Sequence, residues 1–278
     1  MLKSKRFNTA ATIILTVLVI ITLLPLALIV ISSFTKESAL IRNGYSFWPQ
    51  EWSLDAYYYM IKQGAVILRS YGISVFVTVV GTAASVILTT MLAYPMSRKS
   101  FKYHNALSFF VFFTMLFNGG IVPSYIMWTK IFRIKDTIFA LLIPNYLVTA
   151  FNVILVKNYY ANNIPDSLIE AAEIDGAGRF RRMISITIPC IKGTVMIMVI
   201  FAVAGILNNN FDQIYVLQNS FNLERSEVID TYIYKIGIQQ LQFGMAAAVN
   251  ITKSFFSLAL LLLANGIVSK LSDGYGLF

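Results

Sequence analysis

Between residues 170 and 182 the sequence gathers three acids, Glu170, Glu173 and Asp175, around the small pair Ala171 and Ala172, then two glycines, Gly176 and Gly178, then Arg179, Arg181 and Arg182. Pro165 suits the first turn of a helix, and Asp166 and Glu170 place negative charge near the positive end of its dipole. Ala171 and Ala172 form helix readily and carry almost no side chain, so a partner surface can come close to them. Gly176 and Gly178 end the helix in a sharp reversal. The arginines then alternate with Phe180, Met183, Ile184 and Ile188 up to Pro189, a basic amphipathic segment suited to a membrane surface. A connector that binds only anionic lipid is the plainer reading, but Glu170, Glu173 and Asp175 stand where such a helix wants cations. The pattern fits protein docking.

A second polar group is Asn208, Asn209 and Asn210 with Asp212 and Gln213 around Phe211. These residues can offer hydrogen bonds along a wet path, or can equally bond to neighbouring helices. Catalytic chemistry has little to stand on. Cys190 has no second cysteine for a disulfide, and His104, the single histidine, builds neither a metal cluster nor a relay. No Gly-x-x-x-x-Gly-Lys-Ser/Thr stretch occurs, so the chain has no phosphate-binding loop of its own. A multi-pass membrane enzyme would need paired acids or a Ser–His pair near the membrane. An ion-coupled secondary transporter would need intramembrane carboxylates, for which Asp212 is the one candidate, close to the outer surface.

The elements that hold these residues are set by composition. Of 278 residues, 57% are hydrophobic and 13% charged, and the mean hydropathy is +0.69, whereas a soluble domain carries about 25% charged residues. The apolar runs are long and continuous, which predicts helices rather than the alternating segments of a barrel. The expected fold class is all-α, one membrane domain over residues 1–278 with six spans at about Ala10 to Phe34, Ser70 to Tyr94, Ala106 to Met127, Thr137 to Val156, Gly193 to Leu217 and Met245 to Val268. The first run is too long for a signal-peptide core and lacks an Ala-x-Ala cleavage site. The net charge of +9 then reads as cations at the inner ends of helices rather than as nucleic-acid binding. The short basic segment from Ser97 to Asn105 argues that both termini are cytoplasmic. Residues 157–192 become a long inner loop. Asn208 lies about 22 Å into a core ~30 Å thick, which puts Asn208 to Gln213 in its outer half. Trp48, Trp52 and the run Tyr57, Tyr58, Tyr59 are expected as an interfacial aromatic belt.

Glu170-Ala171-Ala172, three residues, Gly176, nine residues, then Ile186-x-Ile188-Pro189 resembles the EAA loop of permease subunits in binding-protein-dependent ABC importers, with Ile188 in place of the usual leucine. Asp175-Gly176-Ala177 and the position of the loop between the fourth and fifth spans resemble the smaller permease of the maltose-type carbohydrate subgroup. Phe117 to Pro123, Leu207 to Tyr215 and Asp230 to Lys235 are similar to permeases for complex oligosaccharides. The resemblance implies a type I importer permease in the bacterial cytoplasmic membrane, a non-catalytic subunit that passes a sugar or oligosaccharide. It implies a coupling helix, with Glu170, Ala171, Ala172 and Gly176 central and Asp175, Arg179 and Arg182 flanking, seated in a separate cytoplasmic ATPase dimer that uses ATP and Mg²⁺. It also implies a second permease, most simply in a heterodimer, and an extracytoplasmic binding protein for which Glu224, Arg225 and Glu227 are rim candidates. On this reading Asn208, Asn209, Asn210, Phe211, Asp212 and Gln213 line the substrate path, Phe211 stacking on a sugar face. The chain itself is expected to hold no cofactor or metal. Purified alone, it should hydrolyse no ATP; phosphate release above a detergent blank would contradict this.

Overall fold

The computed structural model describes residues 2–117, 119–146, 148–205, 207 and 210–271. Among the described residues fifteen helices succeed one another: α1 Leu2–Ser33, α2 Glu37–Asn43, α3 Asp55–Lys62, α4 Gly64–Ser97, α5 His104–Leu116, α6 Ile121–Ile126, α7 Phe139–Tyr146, α8 Ala150–Asn163, α9 Asp166–Ile174, α10 Arg179–Arg182, α11 Ile188–Ala204, α12 Phe211–Leu217, α13 Leu223–Ser226, α14 Ile229–Tyr234 and α15 Phe243–Leu271. Wider, π-type turns extend α6 to Ile131, α10 to Thr187 and α14 to Gln239. Among the described residues there is no β-sheet, only one antiparallel bridge between Thr35 and Trp52.

Three helices are unbroken and long enough to cross a bilayer: Phe7–Ser33, Gly64–Ser97 and Phe243–Lys270. The other apolar runs are interrupted. α5 and the α6 segment turn through 114° about Gly119 and Gly120, so they form at most one further, broken crossing. Gly120 has φ +84°, a backbone region open to glycine at no steric cost. In the fourth run Pro144 removes a backbone donor near the end of α7, and α8 begins only at Ala150. The fifth run ends as α11 at Ala204 and resumes as α12 at Phe211, with the asparagine cluster between. Asparagine side chains compete for backbone hydrogen bonds, which favours a break there.

The contacts divide the chain into two units. The first joins the residues up to Arg69 to Thr231–Phe255. Here Glu37, the first residue of α2, accepts from the backbone N–H of Phe243 at 2.6 Å and of Gly244 at 2.8 Å. A carboxylate thus neutralises the open, positive end of α15. A Cβ on Gly244 would lie 2.9 Å from that carboxylate, so the close approach requires glycine. Tyr45 stacks edge-on with Phe243, ring centroids 5.9 Å apart. Tyr57 turns inward, its hydroxyl 2.9 Å from the Ser33 Oγ and its ring against Phe34, while Tyr58 and Tyr59 stay exposed. Only part of the tyrosine run is therefore free for an interfacial belt.

The second unit holds Ser70–Asp230 and the residues from Phe256 on. Its main core gathers Ala93 and Met96 of α4, Val111 of α5, Val153, Val156 and Tyr160 of α8, then Ile164, Ile191 and Met198. A smaller cluster joins Val77, Leu141, Ile214 and Val228. Asp136 binds the side chains of Asn219 at 2.7 Å and Asn222 at 3.1 Å, closing the segment that follows α12 onto the turn before α7.

The cap on α15 should be measurable. Glu37→Ala leaves two backbone donors without their carboxylate and is expected to lower stability by about 1–2 kcal/mol. Glu37→Gln, which keeps one acceptor, should cost less. Thermal unfolding of the detergent-solubilised protein checks this; equal midpoints for Glu37→Ala and the parent would contradict it.

Candidate functional site

The loop between α8 and α11 builds its site from the backbone up. Pro165, in extended conformation, precedes α9 as its N-cap rather than occupying the first helical turn. α9 then carries Glu170, Ala171 and Ala172. At its end the Gly176 N–H donates to the Glu173 carbonyl at 3.0 Å and the Ala177 N–H to the Ala172 carbonyl at 2.9 Å. This is a complete Schellman closure about Gly176 at φ +77°. Nothing lies within 4 Å of where a Gly176 Cβ would stand, so the backbone angle, not crowding, reserves the position for glycine.

Glu170, Ala171, Asp175 and Gly176 are exposed and Ala172 is half-buried. Arg182 instead turns inward: its Nη1 pairs with Glu173 Oε2 at 2.9 Å and its side chain is only 12% exposed. The ion pair bridges the two arms of the glycine turn, so Arg182 braces the loop from within. Arg179 opens α10, and its side chain lies outside the described part of the structure. The sequence reading missed Ile174, which is 87% exposed. Its spacing from Glu170 and Ala171, i+4 and i+3, was the available signal, since the three share one helix face. Ile169 packs inward on the main core of the second unit.

The loop is rooted in that core. Tyr160 and Ile164 are buried, and burial pushes the Tyr160 hydroxyl up to about 12. Tyr160 meets Tyr94 edge-on at 5.9 Å. The sequence reading also missed a role for Arg98, which it counted only among the inner cations. Arg98 is buried, donates from Nη1 to the Ile164 carbonyl at 3.3 Å, and holds its guanidinium carbon 5.3 Å from the Tyr94 ring centre.

The second polar group opens on a cavity of about 230 Å³ in the second unit. Gly120, Ser124 and Tyr125 line it from one side and Asn210, Asp212 and Gln213 from the other. The structure thus brings three of the predicted path residues together with a segment from the broken third run. Phe211 does not line it and stacks on Tyr215, centroids 5.4 Å apart. Asn208 and Asn209 lie outside the described residues. The Tyr125 hydroxyl accepts from Lys135 Nζ at 3.1 Å, which brings a cation to the edge of the lining. Asparagine, glutamine, serine and tyrosine around a carboxylate put hydrogen-bonding groups beside the apolar side chains of Ile121, Val216 and Leu217, a mixed polar and apolar lining.

In the segment after α12, Glu224 and Arg225 are exposed on the short helix α13 and Glu227 is half-buried just beyond it. Phe221, 97% exposed two residues before α13, was not anticipated.

Known proteins share this architecture. A chain from the crystal structure of a bacterial ABC transporter involved in the import of the acidic polysaccharide alginate matches with a TM-score of 0.71 at 18% identity, over 97% of each chain. The fold is therefore shared with a chain of that transporter. Protein LplC of Bacillus subtilis (strain 168) is 35% identical over 200 residues, 72% of this chain and 66% of that protein. The polygalacturonan/rhamnogalacturonan transport system permease protein YtcP of the same organism is 32% identical over 219 residues, 79% of this chain and 75% of that protein. The family described as binding-protein-dependent transport system inner membrane component matches residues 81–273, and the chain belongs to it.

Gly176→Val forces a β-branched residue to positive φ, a strain of about 1–3 kcal/mol. It should leave the helices folded while amide exchange across Ala172 to Ala177 rises about tenfold or more. Exchange at the parental rate would show that the closure does not depend on glycine.

Proposed function

We propose that this chain is one of two permease subunits of an ATP-driven oligosaccharide importer, and that α9 is its coupling helix. The observation that carries the reading is α9 itself: a short helix entered at Pro165 and closed by the Gly176 turn, rooted in a buried core and presenting Glu170, Ala171 and Ile174 to solvent. An apolar residue this exposed beside a small residue and a carboxylate is the composition of a surface waiting for a protein cleft. A cytoplasmic ATPase dimer, using ATP and Mg²⁺, supplies that cleft. Asp175 and Gly176 lie at its edge and Arg179 flanks it, while Arg182 holds the two arms of the loop at a fixed angle.

In this account the chain crosses the membrane six times with both termini cytoplasmic. The first, second and sixth crossings are the unbroken helices; the third, fourth and fifth are interrupted. Helices broken at membrane depth are tolerated where the freed backbone lines a cavity. The cavity of Gly120, Ser124, Asn210, Asp212 and Gln213 is then this chain's share of the substrate path. Its side chains give the alternating donors and acceptors that sugar hydroxyls need. Six helices rarely enclose a sugar-sized pore alone, so a second permease completes the path, most simply as a heterodimer. The family takes its description from its dependence on a binding protein. Phe221, Glu224, Arg225 and Glu227 form the outer rim that meets that protein in this reading.

The mechanism follows from rigidity. ATP binding draws the two ATPase subunits together, and each carries the helix seated in it. Because α9 is short, capped and packed through Ile169 on the core of its unit, its displacement moves the attached helices instead of bending the loop. No covalent chemistry falls to this chain. It binds, orients and opens.

Polygalacturonan, rhamnogalacturonan and alginate, the substrates for which the similar transporters are named, support an oligosaccharide as cargo. Glu170→Lys reverses charge in the centre of the docking face. It should cut recovery of the ATPase with the tagged permease about tenfold, with insertion unchanged, as read by quantitative mass spectrometry from native membranes. Unchanged recovery would overturn the assignment of α9 to the ATPase.

A further inference from the structure

Arg98 follows α4 directly and is buried, with 8% of the residue exposed. A cation that only set membrane topology would sit in water, because burying a charge is costly unless hydrogen bonds and nearby electron density meet it. Arg98 finds both. Nη1 donates to the Ile164 carbonyl, and the guanidinium lies against Tyr94, whose ring meets Tyr160. The acceptor is 66 residues away in sequence and stands at a particular point of the chain. Ile164 is the C-cap of α8, in extended conformation at φ −122° and ψ +92°, and the next residue, Pro165, is the N-cap of α9. A residue before proline is confined to extended backbone, so this carbonyl has a fixed direction. Met96, Tyr160 and Ile164 share one buried cluster, on which Ile169 of α9 also packs.

We propose that Arg98 is a positioning residue that ties the end of α4 to the joint between α8 and α9, so that displacement of α9 is delivered to α4 as well as to α8. The inference rests on the reading of α9 as the helix seated in the ATPase. The covalent link of α9 to α8 transmits motion along one helix; the Arg98 strap adds a second attachment on a helix with no chain connection nearby. Two attachments turn a hinge into a lever, because a change of ψ at Ile164, the free torsion beside the proline, would swing its carbonyl away from Arg98.

The test uses the assembled permease–ATPase complex with spin labels at Lys99→Cys and Ser167→Cys in a Cys190→Ser background. Positions 99 and 167 are exposed and flank the strap. Distances are compared in the nucleotide-free complex and after trapping with ATP and vanadate. With Arg98 present, the 99–167 distance should stay constant on trapping. With Arg98→Gln it should shift by about 2 Å or broaden, the scale of helix displacement in such transitions, while the ATPase remains bound at parental yield; Arg98→Lys, which restores one donor, should narrow it again. Distances that change equally with and without Arg98, or in neither, would overturn the strap. Should Arg98→Gln fail to insert, the labelled protein with Arg98 intact still decides, since a distance that moves on trapping excludes a rigid attachment. Absence of the ATPase from the parental complex would instead overturn the docking reading beneath it.

Discussion

A backbone in hydrocarbon must satisfy its own hydrogen bonds, and the rest of this structure follows from where it does and does not. α1, α4 and α15 meet the demand along their whole lengths, and α1 exposes apolar side chains from Phe7 to Val30. The third run is interrupted between α5 and α6 and the fifth between α11 and α12, and Gly120 and Asn210, from those two breaks, line one cavity. Glycine, asparagine and serine in an apolar run weaken it as a plain span. Here they supply the polar wall that a plain span cannot provide.

The loop helix depends on the same accounting at its ends. Its last carbonyls are taken up by the Schellman closure at Gly176, its start is set by Pro165, and the arm beyond the turn is held by Glu173 and Arg182. Nine residues would not persist as an isolated helix in water. Packing of Ile169 and burial of Ile164 and Tyr160 make this one persist, and they also make it stiff. Stiffness is what allows a push on an exposed face to reach the helices behind it.

Much of this was legible in the sequence. The long apolar runs and the stretch from Pro165 to Gly176 are written in local chemistry, and α1, α4, α15 and α9 lie along them, with Pro165 as the N-cap of α9 instead of in its first turn. The three broken runs were read as continuous because hydropathy averages over a window and forgives a Gly–Gly pair, a proline or three asparagines within it. Arg98 was counted only among the inner cations, and Arg182 was placed at the flank of the docking face. Their partners, the Ile164 carbonyl and Glu173, are a matter of folded geometry, and composition carries no trace of them. Tyr57 and Phe211 were likewise assigned by type, one to an interface and one to a sugar face. In the structure they are taken up by Ser33 and Tyr215. Residues that serve the fold and residues that serve the surface draw on the same amino acids, and burial alone tells them apart.

The central claim is that the exposed face of α9 is the seat of the ATPase. Site-directed cross-linking from Ala171→Cys in the Cys190→Ser background, carried out on native membranes, addresses it most directly. The account predicts one dominant product joining the permease to the ATPase subunit, lost when Ala171→Cys is replaced by a cysteine on α13, on the opposite side of the membrane. Labelling of Ala171→Cys by a membrane-impermeant thiol reagent added outside intact cells, with no ATPase product, would contradict it.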